Sequence, residues 1–309
     1  MSRSSPRAGA SGSGPLTGRP YGRERGPARV RSALGNVPTA VHPQEPRVPS
    51  PADATIHALR TGHDDLAPLV AGLSAEDLVR RSVATEWDVS QVVSHLGSGA
   101  VIGLEALEAS LEGRPTVADF NQGVWARWDA MSPAARQAAF DAANAALVKR
   151  YEDLDDATRA DLRIDLGFLP APVDVRTAGN FRLNEFALHS WDVRATFDPS
   201  ATVRAEAVEP LLDHIGMLLG WIGKPAALEG RTATVRVTTT GPDRTFGLAI
   251  TDGVALVDAP ADADATLTLP AEAWLRLLTG RLRPEHTPAE VETTGSVDLD
   301  TLRRVFPGY

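Results

Sequence analysis

The chain has 309 residues, no cysteine and a formal net charge of −9. Disulfides, thiolate metal sites and a protein thiol nucleophile are excluded, and a chain without disulfides fits a reducing cytoplasm. The acidic balance argues against nucleic-acid binding by the main body, and no run of about 18 apolar residues is present to cross a membrane.

The first 50 residues hold eight arginines against two glutamates, a net of +6. The rest then carries 23 basic and 38 acidic side chains, a net of −15. Ser, Gly, Pro and Arg dominate this opening, and large apolar side chains are nearly absent. Such a segment buries too little apolar surface to offset the entropy of ordering it, so residues 1–52 are expected to form a disordered arm. No apolar segment follows its arginines, so it does not read as a signal peptide. Its charge leaves an acidic partner or nucleic acid open as a ligand.

From residue 53 a helical period begins. Ile56, Leu59, Leu66, Leu69, Val70 and Leu73 share one face. A second helix follows, capped by Glu86 or Asp88, with Val89, Val92, Val93 and Leu96 as its stripe. A third starts with Ser132 as N-cap and Pro133 in the first helical position. The long segment between the second and third helices, containing "DFNQGVWARW", reads as a linker, and "YEDLDDATRADLRID" as a solvated acidic face. A fourth helix runs from about Val175 to Thr196. Four long helices with polar connections predict a four-helix bundle over 53–200.

Beyond residue 200, "AEAVEPLLDHIGMLLGWIG" reads as one more helix. "TATVRVTTTG", "RTFGLAIT", "GVALVDA" and "ADATLTLP" alternate with the two-residue period of strands, and "TDG" is the turn of a hairpin. "PAEAWLRLLTGRL" and "DLDTLRRVF" read as helices. Residues 201–309 are therefore expected to form a small α+β domain, and the whole chain is α+β in class.

The chemistry is concentrated in "NEFALHSWD", residues 184–192. Glu185 and His189 stand one turn apart on one helix face. They form a surface ion pair, a satisfied core pair, or two ligands of one metal. His95 lies in the second helix beside its apolar stripe, where an imidazole without a partner is costly to bury. Three such residues on two inward helix faces match the way metal sites are built in bundles. Two imidazoles and one carboxylate leave coordination positions open, as catalytic sites do. Arg182 shares the face of Glu185 and can hold a substrate carboxylate or pair with Glu185 or a neighbouring helix. Asp192 can orient the His189 imidazole, or pair with Arg194 or solvent. Asn121 is a possible polar contact from the linker. Trp87 and Trp191 are expected to pack the bundle. His57 and His63 read as structural, His42 lies in the arm, His214 in the fifth helix, and His286 in a proline-flanked loop.

"EWDVSQVVSHL" and "RLNEFALHSWDVRATF" resemble two signatures of the mycothiol-dependent maleylpyruvate isomerase family, in the DinB/YfiT-like superfamily. "ADATLTLPAEAWLRLLTGRL" and "VETTGSVDLDTLRRVF" are similar to its sterol-carrier-like C-terminal domain. The resemblance covers residues 53–309. It implies a divalent metal, usually zinc, held by His95, Glu185 and His189, with mycothiol as the thiol cofactor. The implied reaction is cis–trans isomerisation of maleylpyruvate by reversible thiol addition, or thiol transfer to another electrophile. The implied partners are thus a small thiol and a small electrophile, in the cytoplasm. A non-catalytic metal-binding or regulatory protein on the same bundle is the alternative.

Overall fold

The structure, a computed structural model, describes residues 50–308. The expectation for the arm lies outside the described residues except at its end. Ser50 already accepts the Asp53 N–H through its backbone carbonyl, and Ala52 is buried, so the packed body begins before residue 53.

The helical half contains α1 (Asp53–Ala71), α2 (Ala75–Leu78), α3 (Val89–Leu111), α4 (Phe120–Asp129), α5 (Pro133–Glu152), α6 (Asp156–Asp161) and α7 (Val175–Phe197). A short hairpin of β1 (Arg163–Ile164) and β2 (Val173–Asp174) precedes α7. The four long helices close a ring in which α1 touches α5 and α7, and α3 touches the same two. Their starts are set locally. Asp88 caps α3 through a reciprocal pair of hydrogen bonds with Gln91. Ser132 caps α5 ahead of Pro133, and Asp174 caps α7 by accepting the Thr177 N–H. These caps fix where each helix begins, and hence which turns face inward.

The expected linker between the second and third helices is corrected. It contains α4, which packs on α3 and buries Val124 and Trp128. Phe120, Val124 and Trp128 recur at four-residue spacing, a helical signal hidden among polar residues. Asn121 therefore sits in a helix and not in a loop. The acidic run is mostly exposed, but Arg159 within it is buried and donates to Asp53 at 2.6 Å.

The second half adds α8 (Ala205–Ile215), α9 (Leu219–Ile222), β3 (Ala233–Thr240), β4 (Arg244–Ile250), β5 (Val254–Val257), β6 (Ala265–Pro270), α10 (Ala271–Leu278), β7 (Glu292–Gly295) and α11 (Leu299–Val305). The single helix expected after residue 204 is broken, because hydrogen bonds tighten to three-residue spacing at Met217 and Leu218. The sheet has the order β5-β4-β3-β6-β7, parallel only between β3 and β6. Ala233, Val235, Val237 and Thr239 of β3 point inward, as the alternation predicts. The hairpin at "TDG" joins β4 to β5. β7 was not legible, since Glu292–Gly295 has no apolar alternation and lies on the sheet edge. One hydrophobic cluster runs through both halves, and α8 packs against α1 and α7. The α+β class holds.

Two positions give direct tests. A methyl group at Gly97 would lie 2.1 Å from the Trp128 ring, so α4 can approach α3 only over a glycine. Gly97→Ala is expected to cost about 1–3 kcal/mol of stability, read by urea unfolding. His214 of α8 is buried edge-on to Phe181, and among the described residues its Nε2 meets no partner. Burial, with help from the Arg176 charge, pushes its imidazole down to about 4. Protonation therefore favours the unfolded chain. The stabilising effect is complete above the unfolded value of about 6.5 and is lost as pH falls toward the folded value. His214→Leu should lose roughly 2–3 kcal/mol less than the parent between pH 7 and pH 4.

Candidate metal centre

α3 and α7 lie side by side and bring His95 to Glu185 and His189. One ligand atom from each falls within 4.8 Å of the others. His95 Nε2 lies 2.9 Å from Glu185 Oε2, and His189 Nε2 lies 3.7 Å from the same oxygen. All three side chains are partly open to solvent, His95 and Glu185 by about a third.

The protonation pattern follows from the partners. Burial pushes the Glu185 carboxyl up, but the His95 hydrogen bond and the charges of His189, His95 and Arg281 outweigh it and hold it down to about 2. An ionised carboxylate only accepts, so His95 Nε2 donates to it. Asp192 is fully buried, and its Oδ2 lies 2.8 Å from His189 Nδ1. Burial raises the Asp192 carboxyl, yet the Arg281 charge and the bonds from His189 and Arg281 overcome it and keep it ionised. His189 Nδ1 is therefore the donor. Burial pushes the His189 imidazole down despite the Asp192 bond. The neutral ring is then the resting form near pH 7, with its Nε2 lone pair directed to the cluster.

Arg281 is the residue that sequence reasoning missed. It follows α10, in the second half of the chain, and grips Asp192 with two bonds, Nε to Oδ1 at 2.9 Å and Nη2 to Oδ2 at 2.7 Å. This is a bidentate pair, the geometry that best offsets burying a carboxylate. The alternative partner, Arg194, is committed elsewhere, to Asp65. Trp87 packs against the core as expected, and its indole also lies 5.1 Å from the His95 ring and 5.5 Å from the His189 ring. Trp191 behaves as expected, buried with its N–H donated to the Ala201 carbonyl.

Arg182 stands apart from the cluster and forms no ion pair with Glu185. Its Nη2 donates to the Leu96 carbonyl at 2.9 Å and to Asn144 Oδ1 at 2.6 Å. Gly99 makes room for this approach, since a methyl group there would lie 2.8 Å from Arg182 Nη1. Asn121 makes no contact with the cluster among the described residues. His63 is buried against Asp141, His57 is exposed, and the His286 ring meets Trp191 edge-on.

Two imidazole nitrogens and one carboxylate oxygen suit a divalent metal of borderline character. The residues fit such an ion: Glu185 is ionised, His189 offers a lone pair whose tautomer Asp192 fixes, and His95 would release its Nε2 proton on binding.

Residues 59–194 match the model of the mycothiol maleylpyruvate isomerase N-terminal domain, and residues 223–288 that of the SCP-2 sterol transfer family. The first match contains His95, Glu185, His189 and Asp192, and the second contains Arg281. No curated protein matches the chain. Among solved structures, the chain is similar to a crystal structure of the mycothiol-dependent maleylpyruvate isomerase. The TM-score is 0.56 at 12% identity, over 81% of this chain and 95% of that one. A histidine-to-alanine mutant of that isomerase gives the same values. At this identity the likeness establishes the fold.

Asp192→Asn keeps the shape of the side chain but removes its charge. It is expected to weaken divalent-metal binding about 10–100-fold, measured by competition with a chelator. Unchanged affinity would show that His189 is oriented by other means.

Proposed function

We propose, from the membership of the helical half in the mycothiol maleylpyruvate isomerase N-terminal domain family, that the chain is a metal-dependent enzyme using mycothiol as its thiol cofactor. Its reaction is either cis–trans isomerisation of a maleylpyruvate-like acid or thiol transfer to an electrophile. The observation that carries this reading is the convergence of His95, Glu185 and His189 within 4.8 Å. Zinc is the proposed ion. Mycothiol would supply the nucleophile that a chain without cysteine lacks. When bound, a divalent metal lowers the pKa of a coordinated thiol and so offers a thiolate at neutral pH.

The chain's own residues have separable tasks in this proposal. His95, Glu185 and His189 hold the ion. Asp192 keeps the His189 proton on Nδ1, and Arg281 keeps Asp192 ionised. Arg182 is proposed to meet a substrate carboxylate. Leu96 and Asn144 fix its guanidinium through Nη2, while Nε and Nη1 meet no acceptor among the described residues. Burial lowers it to about 10, against the pull of the Glu185 charge, so it stays cationic at neutral pH. The partners are then a small thiol and a small electrophilic acid. No helix among the described residues is long and apolar enough to cross a membrane. A cytoplasmic location is part of the proposal, since a reduced thiol cofactor requires a reducing compartment.

Steady-state kinetics with mycothiol and maleylpyruvate, alongside metal analysis, test the assignment. His189→Ala should lose most bound metal and at least about 100-fold of thiol-dependent turnover, on the several kcal/mol that a metal contributes. Arg182→Ala should keep its metal and weaken a carboxylate substrate by about 1.5–3 kcal/mol. Full metal and full turnover in His189→Ala would refute the ligand set. Loss of metal in Arg182→Ala would turn Arg182 into a support for Glu185. Turnover that does not depend on mycothiol would refute the cofactor.

A further inference from the structure

The two histidines of the cluster are oriented by different means. His189 has the usual arrangement for a metal ligand, a carboxylate on its far nitrogen. His95 does not. Its Nε2 faces Glu185, and among the described residues its Nδ1 meets no hydrogen-bond acceptor. What it does meet is Trp87, with ring centroids 5.1 Å apart and planes tilted by 40°. The His189 ring lies 4.7 Å from the His95 ring, edge-on, so the three rings form one mutually contacting group. The indole also reaches His189, so one aromatic surface braces both imidazoles.

Trp87 is itself held in place by its backbone. Its carbonyl accepts from both the backbone N–H and the hydroxyl of Ser82, at 3.0 and 2.9 Å. Its own N–H donates to the Ala84 carbonyl at 2.9 Å. Arg81 pairs with Asp88 across the base of the loop, and its guanidinium donates to the Thr85 and Glu86 carbonyls. The loop is tied to the helix that carries Glu185 and His189 through Val83, whose N–H donates to Thr196 Oγ1. A loop with this many internal bonds presents a side chain at a fixed place. Asp88 then caps the helix that carries His95, so the brace and the ligand it braces are positioned from the same turn of chain.

We propose that Trp87 is a positioning residue for the metal centre: its indole sets the orientation of His95, the task that Asp192 performs by hydrogen bond for His189. The inference rests on the metal site proposed above. Aromatic packing suits this ligand because His95 is about a third exposed, where an apolar wall both limits ring rotation and keeps water from that face of the imidazole. Loss of an orienting partner costs metal ligands about 10–100-fold in affinity, and the same range is expected here.

The test is metal affinity of the full chain, measured with Zn2+ and with Co2+ by chelator competition, together with the thermal midpoint and tryptophan fluorescence. Trp87→Ala should weaken binding about 10–100-fold, and Trp87→Phe, which keeps an aromatic face, should restore most of it. Trp87→Leu serves where the alanine variant fails to fold, and should bind as weakly as alanine is expected to. Trp274→Phe is the control, a fully buried tryptophan in the second half whose ring contacts are with Phe246 and Phe306. It should lower the thermal midpoint and leave metal affinity alone. Co2+ should quench part of the parent's fluorescence, and that part should be absent in Trp87→Phe. Parent-like affinity in Trp87→Ala or Trp87→Leu would overturn the proposal, as would equal weakening in Trp87→Phe and Trp87→Ala. A parent chain that binds neither ion would instead refute the metal site itself, so the two failures are distinguishable.

Discussion

A carboxylate with no exposure to water needs compensation for its charge, and Asp192 finds it in two places. His189 donates from one side of the bundle, and Arg281 donates twice from the turn after α10. Removing either donor would leave a buried charge partly unmatched, which costs several kcal/mol. The cluster depends on this compensation. With Asp192 ionised, the His189 proton must sit on Nδ1, and the Nε2 lone pair must face Glu185 and His95. A hydrogen bond three residues away along one helix thereby decides what the open end of the imidazole can bind.

This constraint also ties the second half of the chain to the cluster in the first. α10 contributes more than Arg281. Arg276 of that helix is buried, paired with Glu272, and lies 5.3 Å from the Trp191 ring, next to Asp192. Glu272 in turn accepts the Val203 N–H, which ties α10 to the segment leaving α7. The strands of this half have a local purpose, to hold α10 where its arginines reach α7. A bundle alone would carry His95, Glu185 and His189 but would leave Asp192 without its guanidinium. The side chains of the cluster and those that orient them are thus divided between the halves.

Much of this was legible in sequence because it is local. Glu185, His189 and Asp192 fall on neighbouring turns of one helix, and a four-residue spacing is visible without any tertiary information. The helix caps at Asp88 and Ser132 are likewise read from three or four adjacent residues. The failures have physical reasons. Arg281 lies 89 residues from its partner, and no periodicity encodes that distance. Trp87 does pack on the core, as large aromatics usually do, but only the fold shows two imidazoles against its ring. α4 was hidden because Phe120, Val124 and Trp128 are diluted by polar neighbours. β7 was hidden because an edge strand needs little apolar surface; it is held by register with β6 and by a bond between Thr266 and Thr294.

Two helices of the bundle are proposed to present His95, Glu185 and His189 to one divalent ion. X-ray absorption at the metal edge of the purified chain tests it most directly. One ion per chain is expected, with two imidazole rings and a carboxylate oxygen at about 2.0–2.2 Å. A chain that retains no ion, or an absorption spectrum without imidazole scattering, would contradict it.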